Sequence, residues 1–360
     1  MKVLHVINSL ATGGAEKLLL ESCTVYHQKG IEVHVLLLNG VVHPFLEELK
    51  RNKSCTIHVI GMGSVYSPVL LLKIIPFLKK FDCVHVHLFP CLYWVALAHA
   101  LSFSKTKLIY TEHSTTNNRR GNPIFKVLDR WAYSRYSSIV AITPQVLENV
   151  KTHLQFKDEN RFHIIQNGLN LSQIQSAQPY LKTDFFDDTE AKIIIQVARF
   201  FEPKDHATLI KSLSFLPENY KLILVGDGVL KPNSEALVSQ LKLENRVQFL
   251  GVRTDVLSLL KTADVIVLSS KYEGLSLSCI EGMASGKPFV AADVPGLQEV
   301  VKNAGVLFPL GDEKALANEI KKLMEDELYC SEIVAQCISK SNEYDIQKMI
   351  DQYINLYTKK

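Results

Sequence analysis

Short runs of valine, isoleucine and leucine alternate with segments of helical period along the whole chain. Aliphatic and β-branched runs bounded by turn residues predict strands, and apolar positions recurring every three or four residues predict helices. In the first half this pattern places strands at 2–8, 31–38, 55–60, 82–87, 107–112, 138–142 and 161–165. In the second half it places them at 192–198, 220–226, 246–250, 264–269, 288–292 and 304–308, with helices beginning near Asp205, Ser234, Asp255, Ser276, Gly296 and Asp312. Strands alternating with helices imply βαβ units, so the expected fold class is α/β, with doubly wound parallel sheets. At 360 residues the chain exceeds the size at which single cores usually split, so two domains are expected. The first should span 1–168 and the second 191–341, joined by a linker or hinge at 169–190 that is rich in Gln, Ser and Asp and contains Pro179. The final stretch, 342–360, spaces Tyr344, Met349, Tyr353, Ile354 and Tyr357 roughly helically and is expected to pack back and complete the first domain.

Composition narrows the setting. The longest apolar stretches, Val69 to Leu78 and Trp94 to Phe103, are interrupted by Lys73, Pro76 and His99, well short of the ~18 residues of a membrane span. The run Val3 to Ile7 is too short for a secretion signal and reads as a strand. Seven scattered cysteines with no Cys-x-x-Cys pair fit a reducing cytoplasm. The net charge of +3 hides a split: residues 1–168 carry 19 Lys and Arg against 11 Asp and Glu, whereas the remainder carries 21 against 26. The same first half holds 11 of the 12 histidines. An excess of +8 suggests that the first domain faces something anionic, either a membrane surface or a phosphorylated acceptor. Its centre interleaves Lys79, Lys80, Lys105, Lys107, Arg119, Arg120, Lys126, Arg130 and Arg135 with Phe77, Phe81, Phe103, Phe125 and Trp131. The alternative is an ordinary solvated face. No nucleic-acid partner is expected.

Ligands of doubly wound sheets bind beyond the carboxyl ends of the strands, so the loops after strands carry the candidate chemistry. After the first strand, Gly13-Gly14-Ala15-Glu16-Lys17 opens a helix, where adjacent glycines let backbone N–H groups approach an anion; the same pair could serve as a plain turn. After the strand near 264–269, Glu273 lies in a loop and Glu281 one to two turns into the following helix. Between them the N–H groups of Gly274, Leu275 and Ser276 head that helix, where the dipole favours a phosphate. Carboxylates on either side of an anion site suit a nucleotide sugar, whose hexose and ribose both offer vicinal hydroxyls. A surface acid followed by a capping acid is the plainer alternative. The second domain opens with a strand leading into Arg199 and Lys204, two cations matching a diphosphate, and tight turns follow at Gly226-Asp227-Gly228 and Gly251-Val252-Arg253.

This ordered set resembles family four of the retaining glycosyltransferases, which have two Rossmann-like domains facing across a cleft in the architecture called GT-B. The Glu273 to Glu281 element with its glycines is specific in this company, and Gly13-Gly14-Ala15-Glu16-Lys17, Thr111-Glu112-His113 and Asn167-Gly168 match the family's pattern as well. The resemblance implies that Arg199 and Lys204 neutralise the donor diphosphate, with Gly14 adding a backbone N–H from the other domain on closure. By the same resemblance Glu281 holds the ribose, Glu273 the donor sugar, Val252 and Arg253 meet the base through the backbone, and His113 sits beside the reacting centre. Departures stand at Ala198, Asp205, Gly282 and Asn170, where the family commonly has Gly, Gly, Ala and Asp; none removes a charged donor ligand.

The implied activity is transfer of a hexose or N-acetylhexosamine, with retention, from a nucleotide diphosphate sugar to a glycan or lipid-linked saccharide in polysaccharide biosynthesis. The expected donor is a UDP-sugar acting as co-substrate, with no cofactor. No Asp-x-Asp metal anchor occurs, so the charge is expected to be met by Arg199, Lys204 and the helix dipole and not by a divalent ion. The protein should be cytoplasmic and peripheral on the inner face of the membrane. An inactive nucleotide-sugar-binding subunit and an epimerase of the same architecture are the alternatives; the intact Glu273, Glu281, Arg199 and Lys204 favour transfer. His85 and His87, on an apolar strand, are read as structural.

Overall fold

The computed structural model describes residues 1–359 apart from Thr12, residues 115–121, Gly274 and Leu275. The chain forms two compact units, one comprising Met1–Gly168 with Ile346–Lys360 and the other Leu169–Asp345. The first unit is built on seven strands: β1 (Lys2–Ile7), β2 (Glu32–Leu37), β3 (Thr56–Val59), β4 (Cys83–His87), β5 (Lys107–Glu112), β6 (Ser138–Ala141) and β7 (Phe162–Ile164). Their order is β3-β2-β1-β4-β5-β6-β7, all parallel. The second unit has β8 (Lys192–Val197), β9 (Tyr220–Val225), β10 (Val247–Gly251), β11 (Val265–Leu268), β12 (Phe289–Ala292) and β13 (Val306–Phe308). These run parallel in the order β10-β9-β8-β11-β12-β13. Each sheet therefore reverses its winding once, between β1 and β4 and between β8 and β11. Open α/β sheets bind ligands at such a point.

Strand alternation sorts the first unit's core into two layers. Val3, Ile7, Val33, Val35 and Leu37 face one side, while Leu4, Val6, Leu36, Val84 and Val86 face the other. The first layer is covered by helix Gly14–Gln28 and by the carboxyl-terminal helix Ile346–Thr358, which buries Ile346, Met349, Ile350, Tyr353, Leu356 and Tyr357 at helical spacing. That helix is also fastened through polar contacts: Lys29 pairs with Asp351 at 2.6 Å and the Lys107 ammonium donates to the Leu356 carbonyl at 2.7 Å. Tyr344, expected on the same helix, is instead buried in the core of the second unit.

Residues 169–190, expected as a connector, pack on the second unit. Leu169, Leu171, Ile174 and Phe186 join its core, and Asn170 caps helix Leu171–Ser176 by accepting the Gln173 N–H at 3.2 Å. Lys182 pairs with Asp264 at 2.6 Å. The polar composition concealed a few apolar residues, which join a core whose other members lie far along the chain. The asparagine at 170 does the capping work that an aspartate does equally well.

Candidate functional site

On the second unit the candidate residues gather on the loops that leave β8 and β11. Gln196, next to the carboxyl end of β8, accepts the Ser269 N–H at 3.0 Å and donates to the Lys204 carbonyl at 3.1 Å, while the Ser269 hydroxyl reaches the Asp205 carbonyl at 2.8 Å. This buried bridge pins the Lys204–Asp205 turn to the end of β11. Asp205 holds a left-handed backbone, φ 37°, which glycine adopts most readily; its carboxylate compensates by capping helix His206–Ser212 and accepting the Thr208 hydroxyl at 2.7 Å. The departure from glycine here is thus a capping substitution. Above the turn, the Lys204 ammonium forms an ion pair with Glu273, which also accepts the Ser270 hydroxyl at 2.7 Å. The side chains are 18% and 9% exposed, so the pair is largely desolvated, and losing either partner would strand a charge. The cation expected on the diphosphate and the carboxylate expected on the sugar are therefore oriented by one another.

Arg199 is exposed, with its guanidinium 5.3 Å from the centre of the Phe201 ring. Its neighbours are locked from below. Phe200 is buried and stacks on His206 at 4.0 Å, and burial brings the His206 imidazole down to about 4. The loop after β9 lies so close that a Cβ on Gly226 would stand 2.1 Å from the Ala198 carbonyl, and one on Gly228 2.4 Å from that of Phe200. Gly251 closes β10 at φ 65°, leaving Val252 72% exposed. The Arg253 guanidinium is forked onto Asp255, which raises the arginine and lowers the carboxyl, so this side chain is already engaged. Glu281 is buried in helix Leu277–Ala284, whose cap position is Ser276. Gly274 and Leu275 lie outside the described residues. Gly282 follows Glu281 because the Phe289 ring fills the space where a Cβ would stand, 2.6 Å away.

The remaining candidates belong to the first unit. Gly13, extended at φ −141°, caps helix Gly14–Gln28, and the Glu16 carboxylate folds back over it. Partial burial lifts that carboxyl above its usual range. His113 follows β5, and Thr111 and Glu112 lie within the strand and not after it. Alternation sends Glu112 to accept the Tyr133 hydroxyl at 2.8 Å, while Thr111 and His113 share the face bearing His5, His85 and His87. Register makes this face a polar cluster: His5 lies beside His85, and His87 beside Thr111. His5 Nδ1 meets His87 Nε2 at 3.0 Å, and His87 Nδ1 meets His113 Nε2 at 3.2 Å. His85 spans the Tyr357 hydroxyl and Thr111 Oγ1, each at 2.7 Å. Burial holds all four imidazoles down, His5 to about 3 and His113 to about 4, so they are neutral.

Three of these rings, His5, His85 and His87, offer nitrogens within 4.8 Å of one another, the kind of set that binds a transition metal. Here both nitrogens of His85 and both of His87 are already spent on hydrogen bonds, and only His5 Nε2 lacks a partner. The cluster is a hydrogen-bonded chain before it is a ligand set. The sequence reads the first-domain histidines other than His113, with His85 and His87 among them, as structural and does not show that they are linked. Their same-face spacing, with a histidine on the adjoining strand, was the available signal.

Among the described residues no helix is long and apolar enough to cross a membrane. The basic cluster of the first unit is only partly at the surface: Lys107 is tied to the terminal helix, and Phe77 and Phe81 pack edge-on against His58 and His34. Arg119 and Arg120 lie outside the described residues. What does face outward is helix Pro123–Ser134, where Ile124, Val127 and Leu128 are exposed together with Arg130 and Arg135, the latter 5.5 Å from the centre of the Trp131 ring.

Two all-parallel sheets, each with its chemistry at the switch point, define the GT-B fold class. The crystal structure of HepE from Anabaena in complex with UDP shares it, with a TM-score of 0.83 and 22% identity over 99% of both chains. A glycosyltransferase from Rickettsia africae superposes with a TM-score of 0.82 over 99% of this chain and 97% of its own. Residues 12–173 match the family described as Glycosyltransferase Family 4, and residues 181–343 match Glycosyl transferases group 1. The chain is 27% identical over 331 residues to the lipopolysaccharide core biosynthesis glycosyltransferase LpsD of Rhizobium meliloti, covering 91% of this chain and 89% of that one. It is 27% identical over 340 residues to a Campylobacter jejuni enzyme that adds N-acetylgalactosamine to a diphospho-undecaprenol-linked saccharide, covering 89% of each chain. The chain belongs to family four of the glycosyltransferases and is a glycosyltransferase.

Proposed function

We propose that this glycosyltransferase moves a hexose or N-acetylhexosamine, with retention and without a metal ion, from a UDP-sugar to a lipid-linked saccharide. The observation that carries the reading is the Lys204–Glu273 pair, held by Ser270 on the loops that leave the strands, with the exposed Arg199 on the same loop as Lys204. Arg199 and Lys204 balance the diphosphate and the charge that grows on it as the sugar leaves. Glu273 accepts from sugar hydroxyls and Glu281 from the ribose, with the helix-heading N–H groups near Ser276 on the phosphates. Val252 and Arg253 meet the base through their backbone, since the Arg253 side chain is committed to Asp255. Gly13 and Gly14 supply N–H groups from the first domain.

In the step itself the bond from the sugar's anomeric carbon to the phosphate oxygen breaks, and the acceptor oxygen bonds to that carbon on the same face. The acceptor's proton passes to the departing phosphate. His113 stands beside this centre as a neutral ring. No Asp-x-Asp element is present to anchor a cation, which supports a diphosphate held by side chains alone. UDP in the HepE crystal supports the donor class, and the diphospho-undecaprenol substrate of the Campylobacter relative supports the acceptor class.

Peripheral attachment to the cytoplasmic face of the membrane is part of the same reading. Ile124, Val127 and Leu128 flanked by Arg130 and Arg135 form an apolar strip with a basic margin, and each cation near an anionic surface adds on the order of 1 kcal/mol. Co-sedimentation with anionic vesicles that weakens at high salt is expected; equal partition onto neutral and anionic vesicles speaks against it. The reaction is tested by following transfer from UDP-sugars to a diphospholipid-linked saccharide in excess chelator and reading the product's anomeric configuration by NMR. A retained configuration and undiminished rate are expected. Inversion, or activity lost to chelator and restored by a divalent ion, overturns the reading.

A further inference from the structure

The buried histidines of the first unit form a chain with a direction. Neutral imidazole has one N–H and one bare nitrogen, so a row of three linked rings can carry its protons in only two ways. In one, His113 Nε2 donates to His87 and His87 Nε2 donates to His5, which leaves the last proton on His5 Nε2. That atom is buried and has no partner. In the other, His5 Nδ1 donates to His87 Nε2 and His87 Nδ1 donates to His113 Nε2, so the last proton rests on His113 Nδ1. The atom left without a partner at the buried end is then a bare acceptor. A buried N–H left without an acceptor is rarer in folded proteins than an under-used acceptor, so the second arrangement is the favoured one.

We infer that His5 and His87 are positioning residues that hold His113 in a single neutral form, protonated on Nδ1 and bare on Nε2. His85 braces the chain from the side: its ring centre lies 4.2 Å from that of His87, and Tyr357 and Thr111 hold it at both nitrogens. The rings sit under helix Gly14–Gln28 and the carboxyl-terminal helix, in a small cavity lined also by Leu18, Leu19, Tyr26 and Tyr353. Desolvation there keeps the rings uncharged, so the proton cannot be supplied by an imidazolium. Resting on the reading of His113 as neighbour of the reacting centre, the inference gives that residue a definite chemistry: it donates one hydrogen bond from Nδ1 to an oxygen of the donor sugar and does not act as a base.

The test begins with the whole protein labelled with ¹⁵N histidine, using long-range proton–nitrogen correlation spectra assigned by loss of the signal in H113Q. His113, His87 and His5 are expected as Nδ1–H forms. An Nε2–H form of His113, or one bound transition-metal ion per chain by elemental analysis of protein purified without chelator, overturns the inference. His87→Leu removes the donor to His113, whereas His87→Asn keeps an amide N–H near the Nδ1 position. In H87L the His113 signal is expected to become a mixture of forms and kcat to fall about tenfold with KM little changed, and H87N is expected to restore most of both. An H87L spectrum unchanged at His113 overturns the lock. A mixed His113 with full kcat leaves the lock standing and removes His113 from the reacting centre. If H87L fails to fold, the wild-type spectrum alone decides.

Discussion

The two sheets place polar groups at the same topological point and use them in opposite ways. Between β1 and β4 the first unit buries His5, His85 and His87, all neutral, beneath two helices. Between β8 and β11 the second unit buries the uncharged Gln196, Ser269 and Ser270 and carries the ion pair of Lys204 and Glu273 at the strand ends. Depth accounts for the difference. A charge under two covering helices loses its hydration with nothing to replace it, whereas at a strand end an ion pair keeps partial contact with water. One sheet thus holds a rigid hydrogen-bonded scaffold and the other an ion pair at its strand ends.

Acid separates the two most sharply. The buried histidines have folded-state values below the 6.5 of the open chain, so the unfolded protein binds the extra protons. Their contribution to stability is complete above pH 6.5 and is lost as pH falls below it. Each ring that titrates only when unfolded costs about 1.4 kcal/mol per pH unit. Hydrogen exchange at pH 5 against pH 7 should show the first unit opening well before the second, which contains the single histidine His206. Equal loss in both units breaks the contrast.

Next in size are the cations of the second sheet. Arg199→Ala and Lys204→Ala should each lower turnover by about 10² to 10³, the scale of removing one transition-state charge stabiliser. Steady-state kinetics with the true donor separates them from Glu281→Ala, which should raise the donor KM instead. Arg199→Ala should leave the urea midpoint in place because the side chain is exposed. Lys204→Ala should lower it, because Glu273 is left buried without its partner.

Smaller effects come from packing and from the terminal helix. Gly282→Ala drives a methyl group against the Phe289 ring and should cost roughly 1–3 kcal/mol by thermal unfolding, confined to the second unit. Tyr357→Phe removes the hydroxyl that lies 2.7 Å from His85 and 2.8 Å from the Tyr26 hydroxyl, at a cost of about 1–3 kcal/mol confined to the first. Smallest of all, Glu202→Gln breaks an exposed pair with Lys271 and should change stability by less than about 1 kcal/mol, read from the urea midpoint at low salt.

By itself the sequence determined the strands, the two-domain division and the loops that carry chemistry, because these follow from periodicities that repeat within a few residues. Arg199, Lys204, Glu273, Glu281 and His113 could be marked as candidates from their places after strands and within one helix. Tertiary structure alone decided which of them touch. Lys204 reaches Glu273 across 69 positions, His5 reaches His87 across 82 and His85 reaches Tyr357 across 272. Such pairings depend on strand register and on which helix covers which face, and no local pattern encodes either. The same reason hid the packing of Leu171, Ile174 and Phe186 inside a polar stretch and the need for glycine opposite the Ala198 and Phe200 carbonyls. Each is set by a surface that a distant part of the chain supplies.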